Sequence, residues 1–230
     1  IFGTNGVSED SLKVPEADGK LRLWRDTAAE TAAACGVTEM APETVGFEWD
    51  HDQDNGHRPA GLFRLSSTNI DHAPVLYGAG SFAAGGLFAE IGQATHHVSS
   101  YRAPSGSLVF NAGSVQWSLG LGLTHLPDEY GGHLELTLTQ ATANLLADMG
   151  VQAATPVDFC PAEPTVDAAE PDSSISSPLQ GASLRVGSRV EISGTATDSG
   201  GRVAGVEISL DGGATWLRAE GRESWHYDWR

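Results

Sequence analysis

The densest group of side chains that could carry out chemistry lies between Glu48 and His57. The run EWDHDQDNGH holds four carboxylates and two imidazoles within ten residues. In an extended chain alternate residues share a face, so Glu48, Asp50 and Asp52 are predicted to point the same way. Oxygen ligands arranged in this way suit a hard cation such as calcium, and these three residues are the predicted metal ligands.

The spacing of this acidic run differs from that of an EF-hand calcium loop. With Asp50 as the first position, Asn55 stands where the loop requires Gly, and Gly61 stands where the bidentate Glu belongs. The alternative interpretation is a solvated acidic loop, held by turns in which Asp and Asn side chains accept hydrogen bonds from nearby backbone N–H groups.

Seven of the eight histidines fall within residues 51–133, so we expect any catalytic site in the first part of the chain. On a predicted strand the adjacent His96 and His97 point to opposite faces, and at most one of them can enter a site with Glu48. Both are candidate catalytic residues, with a structural role as the alternative. Arg102 is the third candidate because a guanidinium binds carboxylates, and its alternative role is a structural anchor where a strand ends.

A further candidate run, Asn111–Trp117, follows a predicted buried strand, which is where α/β folds place residues of their sites. A tight turn at Gly113 and core packing of Trp117 are the structural alternatives. The sequence contains no HExxH zinc motif, Walker phosphate loop, GxSxG nucleophile turn or GxGxxG dinucleotide loop.

Charge and composition argue against nucleic acid as a partner and against a membrane span. Thirteen basic residues stand against thirty acidic ones, for a net charge of -17. Nucleic-acid binding is not expected, because the phosphate backbone is met by clustered Lys and Arg. Two charge-free stretches, 72–89 and 103–127, are interrupted by Gly, Ser, Pro, Asn and Gln, so no membrane span is predicted either.

The two cysteines, Cys35 and Cys160, are far apart in the sequence. A disulfide between them would suit an exported protein, and two free thiols are the alternative.

A change in composition near residue 150 divides the chain. Residues 155–181 contain five prolines and no Lys or Arg, a composition typical of an extended linker. We predict a first domain over residues 1–154, an acidic Pro-rich linker over 155–173 and a second domain over 174–230.

The first domain combines helix and strand patterns. A capping-box pattern at Thr27–Glu30 and the alanine-rich run up to Cys35 predict one helix, starting as early as Leu21. Apolar residues at the 3.6 period predict another over 134–149. Strands are predicted at four places: 45–49, 61–65, 95–101 and 107–110. Helices flanking several strands predict an α/β fold with helices on a central sheet.

The second domain has the alternating pattern of half-buried strands, which predicts a small antiparallel β-sandwich. The alternation runs through 184–186, 190–192, 206–210 and 225–229, with a hairpin turn at Asp211–Gly213. Its aromatic residues Trp216, Trp225, Tyr227 and Trp229 could form a carbohydrate-binding face. The alternative is that Trp225, Tyr227 and Trp229, which share a face, belong to the core.

The blocks VGFEWD at 45–50, DNG at 54–56, RPAGL at 58–62, HH at 96–97 and VFNAGSVQWS at 109–118 resemble the C-terminal domain of the N,N-dimethylformamidase large (beta) subunit family. The resemblance covers roughly residues 1–152. It implies a glutamine amidotransferase-like α/β fold, of which this chain supplies the later half, and an enzyme that hydrolyses a small formamide. It also implies a mononuclear iron held by tyrosines and a glutamate. Glu48 aligns with that glutamate, and the tyrosines are expected upstream of Ile1.

The second domain resembles the bacterial Ig-like domains of secreted actinobacterial proteins. Together the two resemblances imply a secreted multidomain protein, with a metal-dependent hydrolase of amide C–N bonds as the expected activity. Iron is the cofactor that the resemblance implies, with calcium as the alternative. The expected partner is the remainder of the polypeptide or a companion chain that completes the α/β domain. A non-catalytic extracellular scaffold or a carbohydrate-binding module is the alternative function.

Overall fold

A computed structural model of the chain describes residues 10–46, 49–52, 57–76, 89–122, 135–157 and 159–230. The chain divides into two units. The first is drawn from residues 1–52, 64–100 and 107–165, and the second from residues 53–63, 101–106 and 166–230. The division at residues 165 and 166 falls within the predicted linker, whereas residues 53–63 and 101–106 of the predicted first domain belong to the second unit.

The strands that precede residue 112 form three small sheets. Strand β1 (Lys13–Pro15) pairs antiparallel with β2 (Val37–Glu39). Strands β3 (Phe63–Arg64), β6 (Ser99–Arg102) and β7 (Leu108–Asn111) form a sheet in the order β3-β6-β7. Strand β4 (Thr68–Leu76) pairs antiparallel with β5 (Ala89–His96). The described residues are thus mostly β with few helices, and every pair whose register is described is antiparallel, so the glutamine amidotransferase-like α/β fold is not confirmed.

Two helices of the described residues belong to the first unit, α1 (Glu16–Gly19) and α2 (Leu136–Asp148). The periodicity that predicted α2 is confirmed, since Leu138 and Ala141 on its apolar face are fully buried. Its first turn is capped by the Glu135 side chain, which accepts a hydrogen bond from the Thr137 N–H at 3.1 Å.

The helix predicted up to Cys35 was wrong. The chain makes a short 3₁₀ turn at Arg22–Trp24 and then a series of turns. Asp26 and Cys35 both have a positive φ of 59°, which a helix interior does not allow. Glu30 does not complete the capping box at Thr27, because its carboxylate accepts from the Asp26 N–H at 2.7 Å.

A polar cluster fastens α2 to the turn that replaces that helix. Asn144 is fully buried, and its amide donates to the backbone carbonyls of Leu23 and Arg25 at 2.8 and 2.7 Å. The guanidinium of Arg25 pairs with Asp148 at 3.0 Å. The Thr165 N–H donates to the same carboxylate at 3.1 Å, so one acidic side chain joins three parts of the first unit.

Residues 166–230 of the second unit form the predicted antiparallel β module. A four-stranded sheet has the order β12-β13-β9-β8, and β10 pairs with β11 in a hairpin. The bounds are β8 (Asp172–Ser177), β9 (Val190–Thr197), β10 (Glu207–Ile208), β11 (Leu217–Arg218), β12 (Glu220–Gly221) and β13 (Ser224–Trp229). The strand predicted at 184–186 is absent from these described residues, and its Leu184 and Val186 are exposed.

The core of this unit lies between the sheet and the hairpin. Its buried members are Ile192, Ala196, Val203, Val206, Ile208, Ala219 and Trp225. Trp225 is therefore a core residue, while Trp229 on the same face is 40% exposed. The register between β8 and β9 shifts at Ile175 and Ser177, which marks a bulge on the outer strand.

In the described residues no helix combines the length and the apolar content that a membrane crossing requires.

We predict that Gly194→Ala destabilises the second unit. Gly194 pairs with Trp225 across the sheet, and a Cβ at this position would collide with the indole ring and with the backbone carbonyl of Ser174. Overpacking of this kind costs about 1–3 kcal/mol. Gly205→Ala is the matched control, because its Cβ would meet only Phe63 at an ordinary 3.9 Å. Urea denaturation followed by tryptophan fluorescence measures both, and equal midpoints for the two variants would contradict the prediction.

Candidate functional site

The segment Trp49–Asp52, which directly follows Glu48 in the chain, is held at every residue. Trp49 forms an isolated antiparallel bridge with Ser114. The Asp50 N–H donates to the carbonyl of Gly113 at 2.7 Å, and the Asp50 carbonyl accepts from the His97 N–H at 3.3 Å. These contacts place Trp49 and Asp50 against the chain segments that carry His97 and Gly113–Ser114.

His96 lies in the interior of the first unit. It is fully buried, and its ring meets that of Trp49 edge to face, with ring centroids 6.3 Å apart. Its Nε2 lies 3.1 Å from the carbonyl of Ala112. Because a carbonyl oxygen only accepts, Nε2 carries the proton and Nδ1 is bare. Burial lowers the pKa of His96 to about 4, so the ring is neutral at physiological pH.

His97 is 3% exposed and contacts a different group of residues. Its Nδ1 accepts a long hydrogen bond from the Asp52 N–H at 3.4 Å, and its ring centroid lies 5.9 Å from that of His51. Burial is the main cause that lowers the pKa of His97 to about 3, and the positive charge of Arg64 lowers it further. His51 in turn donates from Nδ1 to the Thr95 carbonyl at 2.9 Å.

The acidic side chains of this segment are bound within the unit. Arg64 donates from Nε to the Asp52 carboxylate at 2.7 Å, and the Asp52 side chain is only 6% exposed. Asn111 donates to the Asp50 carboxylate at 3.1 Å. The interpretation of a solvated loop therefore does not hold for Asp52, although Asp50 is exposed.

Gly113 and Ser114 hold the other side of the segment. Gly113 has a φ of +65°, and a Cβ there would lie 2.8 Å from the His97 carbonyl and 3.0 Å from His96 Nε2. Glycine is thus required both by the backbone conformation and by the close approach of the histidines. The Ser114 hydroxyl accepts from the Gly46 N–H at 3.2 Å, on the other side of Glu48 in the chain.

The remaining candidates have structural contacts. Arg102 is exposed and donates to the Gly106 carbonyl at 2.8 Å, within its own hairpin. Trp117 packs against Trp24 and Phe110, with ring centroids 6.4 and 5.6 Å away. It is a core residue, as the structural alternative proposed. Both cysteines are free and exposed.

The candidate metal ligands were tested by their contacts. Glu48 lies outside the described residues. Among the described residues no three His, Cys, Asp or Glu side chains converge on a common point. Asp52 is paired with Arg64, and His96 uses Nε2 on a backbone carbonyl. The described side chains do not by themselves form a ligand set, and the metal-ligand role of Glu48, Asp50 and Asp52 stays a prediction.

Arg64 is the residue of this site that the sequence did not indicate. Its partner Asp52 precedes it by twelve residues, across a loop. No periodic pattern joins two such positions, so the sequence carries no signal for this pair.

We predict that the first unit loses stability as the pH falls from 6.5 towards 4. In this window the unfolded chain protonates His96 at its ordinary pKa near 6.5, whereas the folded state, with a pKa of about 4, does not. The unfolded state then binds more protons, so the free energy of unfolding drops, by about 3 kcal/mol for this residue once the pH lies below both values.

Denaturation midpoints measured across this pH range test the prediction. His96→Gln should reduce this pH dependence, with the contribution of His97, whose pKa is lowered to about 3, remaining. His226→Gln, at a half-exposed histidine of the second unit, should leave the wild-type dependence unchanged. Titration of the His96 ring by NMR measures its pKa directly in the wild-type protein and needs no folded variant. A pKa above 6 for His96 would contradict the structure.

Comparison with known families places both parts of the chain. Residues 171–230 match the bacterial Ig domain family. No curated protein and no solved structure matches the chain. Residues 1–131 match the family described as N,N-dimethylformamidase beta subunit-like, C-terminal. This match spans more than half of the 230 residues, and it includes Glu48, the Trp49–Asp52 segment, both buried histidines and Gly113. The chain thus belongs to the N,N-dimethylformamidase beta subunit-like, C-terminal family and carries a bacterial Ig domain after it.

Proposed function

We propose that this chain is part of an exported multidomain hydrolase that cleaves the C–N bond of a small amide. The family membership of residues 1–131 supplies the reaction class. One observation connects the proposal with particular residues. Each residue of Trp49–Asp52 has a backbone or side-chain contact within the first unit, so the segment is fixed in place.

A catalytic or binding group has to be held within a fraction of an ångström of its working position, which requires support from its neighbours. Glu48 stands in the chain between Gly46, held by Ser114, and Trp49, which bridges to the same serine. We infer that Glu48 is the functional carboxylate of this chain and that Trp49–Asp52 supports it.

In this proposal His96 and His97 are positioning residues. They are 0% and 3% exposed, so neither touches a substrate in this arrangement. Their low pKa values keep both rings neutral, and a neutral ring keeps the acceptor nitrogen that holds the Asp52 N–H. Asp52 in turn holds Arg64 through its carboxylate.

The family description names a subunit. We propose accordingly that the site is completed by another part of the same polypeptide or by a companion chain. Bacterial Ig domains are typical of extracellular proteins, and we propose export of this protein on that ground. The Ig domain then acts as a spacer or attachment module, without a part in the hydrolysis.

A second function is favoured by one observation. Because both candidate catalytic histidines are buried, the first unit also fits a non-catalytic scaffold within a larger extracellular protein. The two functions differ in whether any amide is consumed.

We expect the native full-length protein, purified with any chain that copurifies, to hydrolyse small amides, with release of dimethylamine from N,N-dimethylformamide and of ammonia from primary amides. The panel is N,N-dimethylformamide, formamide and acetamide. Glu48→Gln should lower the rate at least about 100-fold, the effect of removing a group that acts in the transition state. Glu43→Gln, at an exposed glutamate of the same unit, is the matched control and should keep the wild-type rate.

Metal content, measured on the same samples, separates two forms of the hydrolase proposal. Activity with a stoichiometric metal that Glu48→Gln loses would make the enzyme metal-dependent, and activity without metal would remove the metal from the proposal. Wild-type protein that consumes none of the amides would overturn the hydrolase and favour the scaffold.

A further inference from the structure

The second unit contains a pocket that neither family match assigns to a function. It has a volume of about 290 Å³ and is lined by Arg58, Ala60 and the segment Gly213–Leu217. The segment belongs to the β10–β11 hairpin loop, and Arg58 and Ala60 belong to the same unit. Such a volume is near the lower end of the range for small-molecule sites.

One wall of the pocket is aromatic. Trp216 is 39% exposed. Its Cζ2 lies 3.8 Å from the position that a Cβ on Gly213 would occupy. Gly213 has a φ of +92° and no side chain, so the indole lies close to bare backbone. The loop therefore presents a flat apolar surface beside backbone polar groups.

The loop that carries Trp216 is fixed by its own hydrogen bonds. The carboxylate of Asp211 accepts from the Thr215 hydroxyl at 2.6 Å, the Thr215 N–H at 2.9 Å and the Ser209 hydroxyl at 2.8 Å. The bonds from Thr215 are the main cause that lowers the pKa of Asp211 to about 2, so the carboxylate stays ionised and bonded at neutral pH. A loop held in this way loses little conformational entropy when it binds a ligand.

The charged group of the pocket is already neutralised. The Arg58 side chain is 4% exposed and pairs with Glu207, which is 14% exposed. The guanidinium also donates to the Leu62 carbonyl, and the second Glu207 oxygen accepts from the Gly61 N–H at 2.6 Å. A buried ion pair with these additional bonds provides a fixed polar surface without a net charge.

These features select among ligand classes. An anion is disfavoured because Arg58 is neutralised and the chain carries a net charge of -17. A quaternary ammonium ion is bound by several aromatic rings, and Trp216 is the single aromatic residue among the described residues that line the pocket. A purely apolar ligand would make no use of the polar surface at Glu207, which is 14% exposed.

A neutral sugar ring satisfies all of these conditions. Its C–H face can cover the indole, and its hydroxyl groups can both donate to and accept from polar groups around the ring. We propose that the pocket between Trp216 and Arg58 binds a pyranose unit of a neutral oligosaccharide. The site differs from the face formed by Trp225, Tyr227 and Trp229, of which Trp225 belongs to the core.

The test uses isothermal titration calorimetry of the whole chain with four neutral probes, cellohexaose, xylohexaose, maltohexaose and chitohexaose. We expect at least one probe to bind, and Trp216→Ala to weaken its binding about tenfold or more. Trp229→Ala is the matched control, because Trp229 has the same exposure in the same unit, at 40%, and lies outside the pocket. It should keep the wild-type affinity.

Trp216→Phe, which keeps an aromatic face, should retain most of the affinity and serves if the alanine variant does not fold. The proposal is overturned if no probe binds at millimolar concentration, or if Trp216→Ala binds as the wild type does. It is also overturned if both tryptophan variants lose affinity equally, or if choline chloride binds at this pocket in place of the sugars.

Discussion

Two buried, neutral imidazoles are the constraint on which the candidate site depends. His96 and His97 are adjacent in the chain and sit where β5 ends and β6 has not yet begun. The His96 ring packs against Trp49 and hydrogen-bonds to the Ala112 carbonyl. The His97 ring accepts the hydrogen bond from the Asp52 N–H. Protonation would remove the acceptor at His97 Nδ1 and place a charge in the interior, so the contacts of the segment after Glu48 favour two uncharged rings.

This packing explains features of the sequence that look unrelated at first. The glycine at 113 is required because a side chain would reach both His96 Nε2 and the His97 carbonyl. The serine at 114 connects Gly46, Trp49 and the Thr44 carbonyl, so one small polar residue holds the chain on both sides of Glu48. Such fixed surroundings are characteristic of a functional position. Because His96 and His97 are buried, the described residues leave no space for a substrate beside the two rings.

Periodic patterns in the sequence predicted those helices and strands that bury one regular face. The 3.6-residue period located α2, and the two-residue alternation located β9, β10 and β13, because burial of one face determines each of them. The alanine-rich run after Thr27 failed since tertiary contacts outweigh its helix propensity: Ala29 is fully buried, and its carbonyl lies against Gly19. The pairs Arg64–Asp52 and Arg58–Glu207 could not be predicted, because ion pairs across loops leave no periodic trace in a sequence.

The bulge on β8 has a consequence for how the second unit behaves in a crowded solution. This outer strand is exposed at all six residues and carries four serines and no lysine, so its backbone groups could accept a strand from a neighbouring molecule. The register shift at Ile175 and Ser177 interrupts the regular row of donors and acceptors and increases the local twist. An incoming strand can therefore pair with β8 over a few residues only. The bulge thus protects this open edge against aggregation, although β8 carries no positively charged residue.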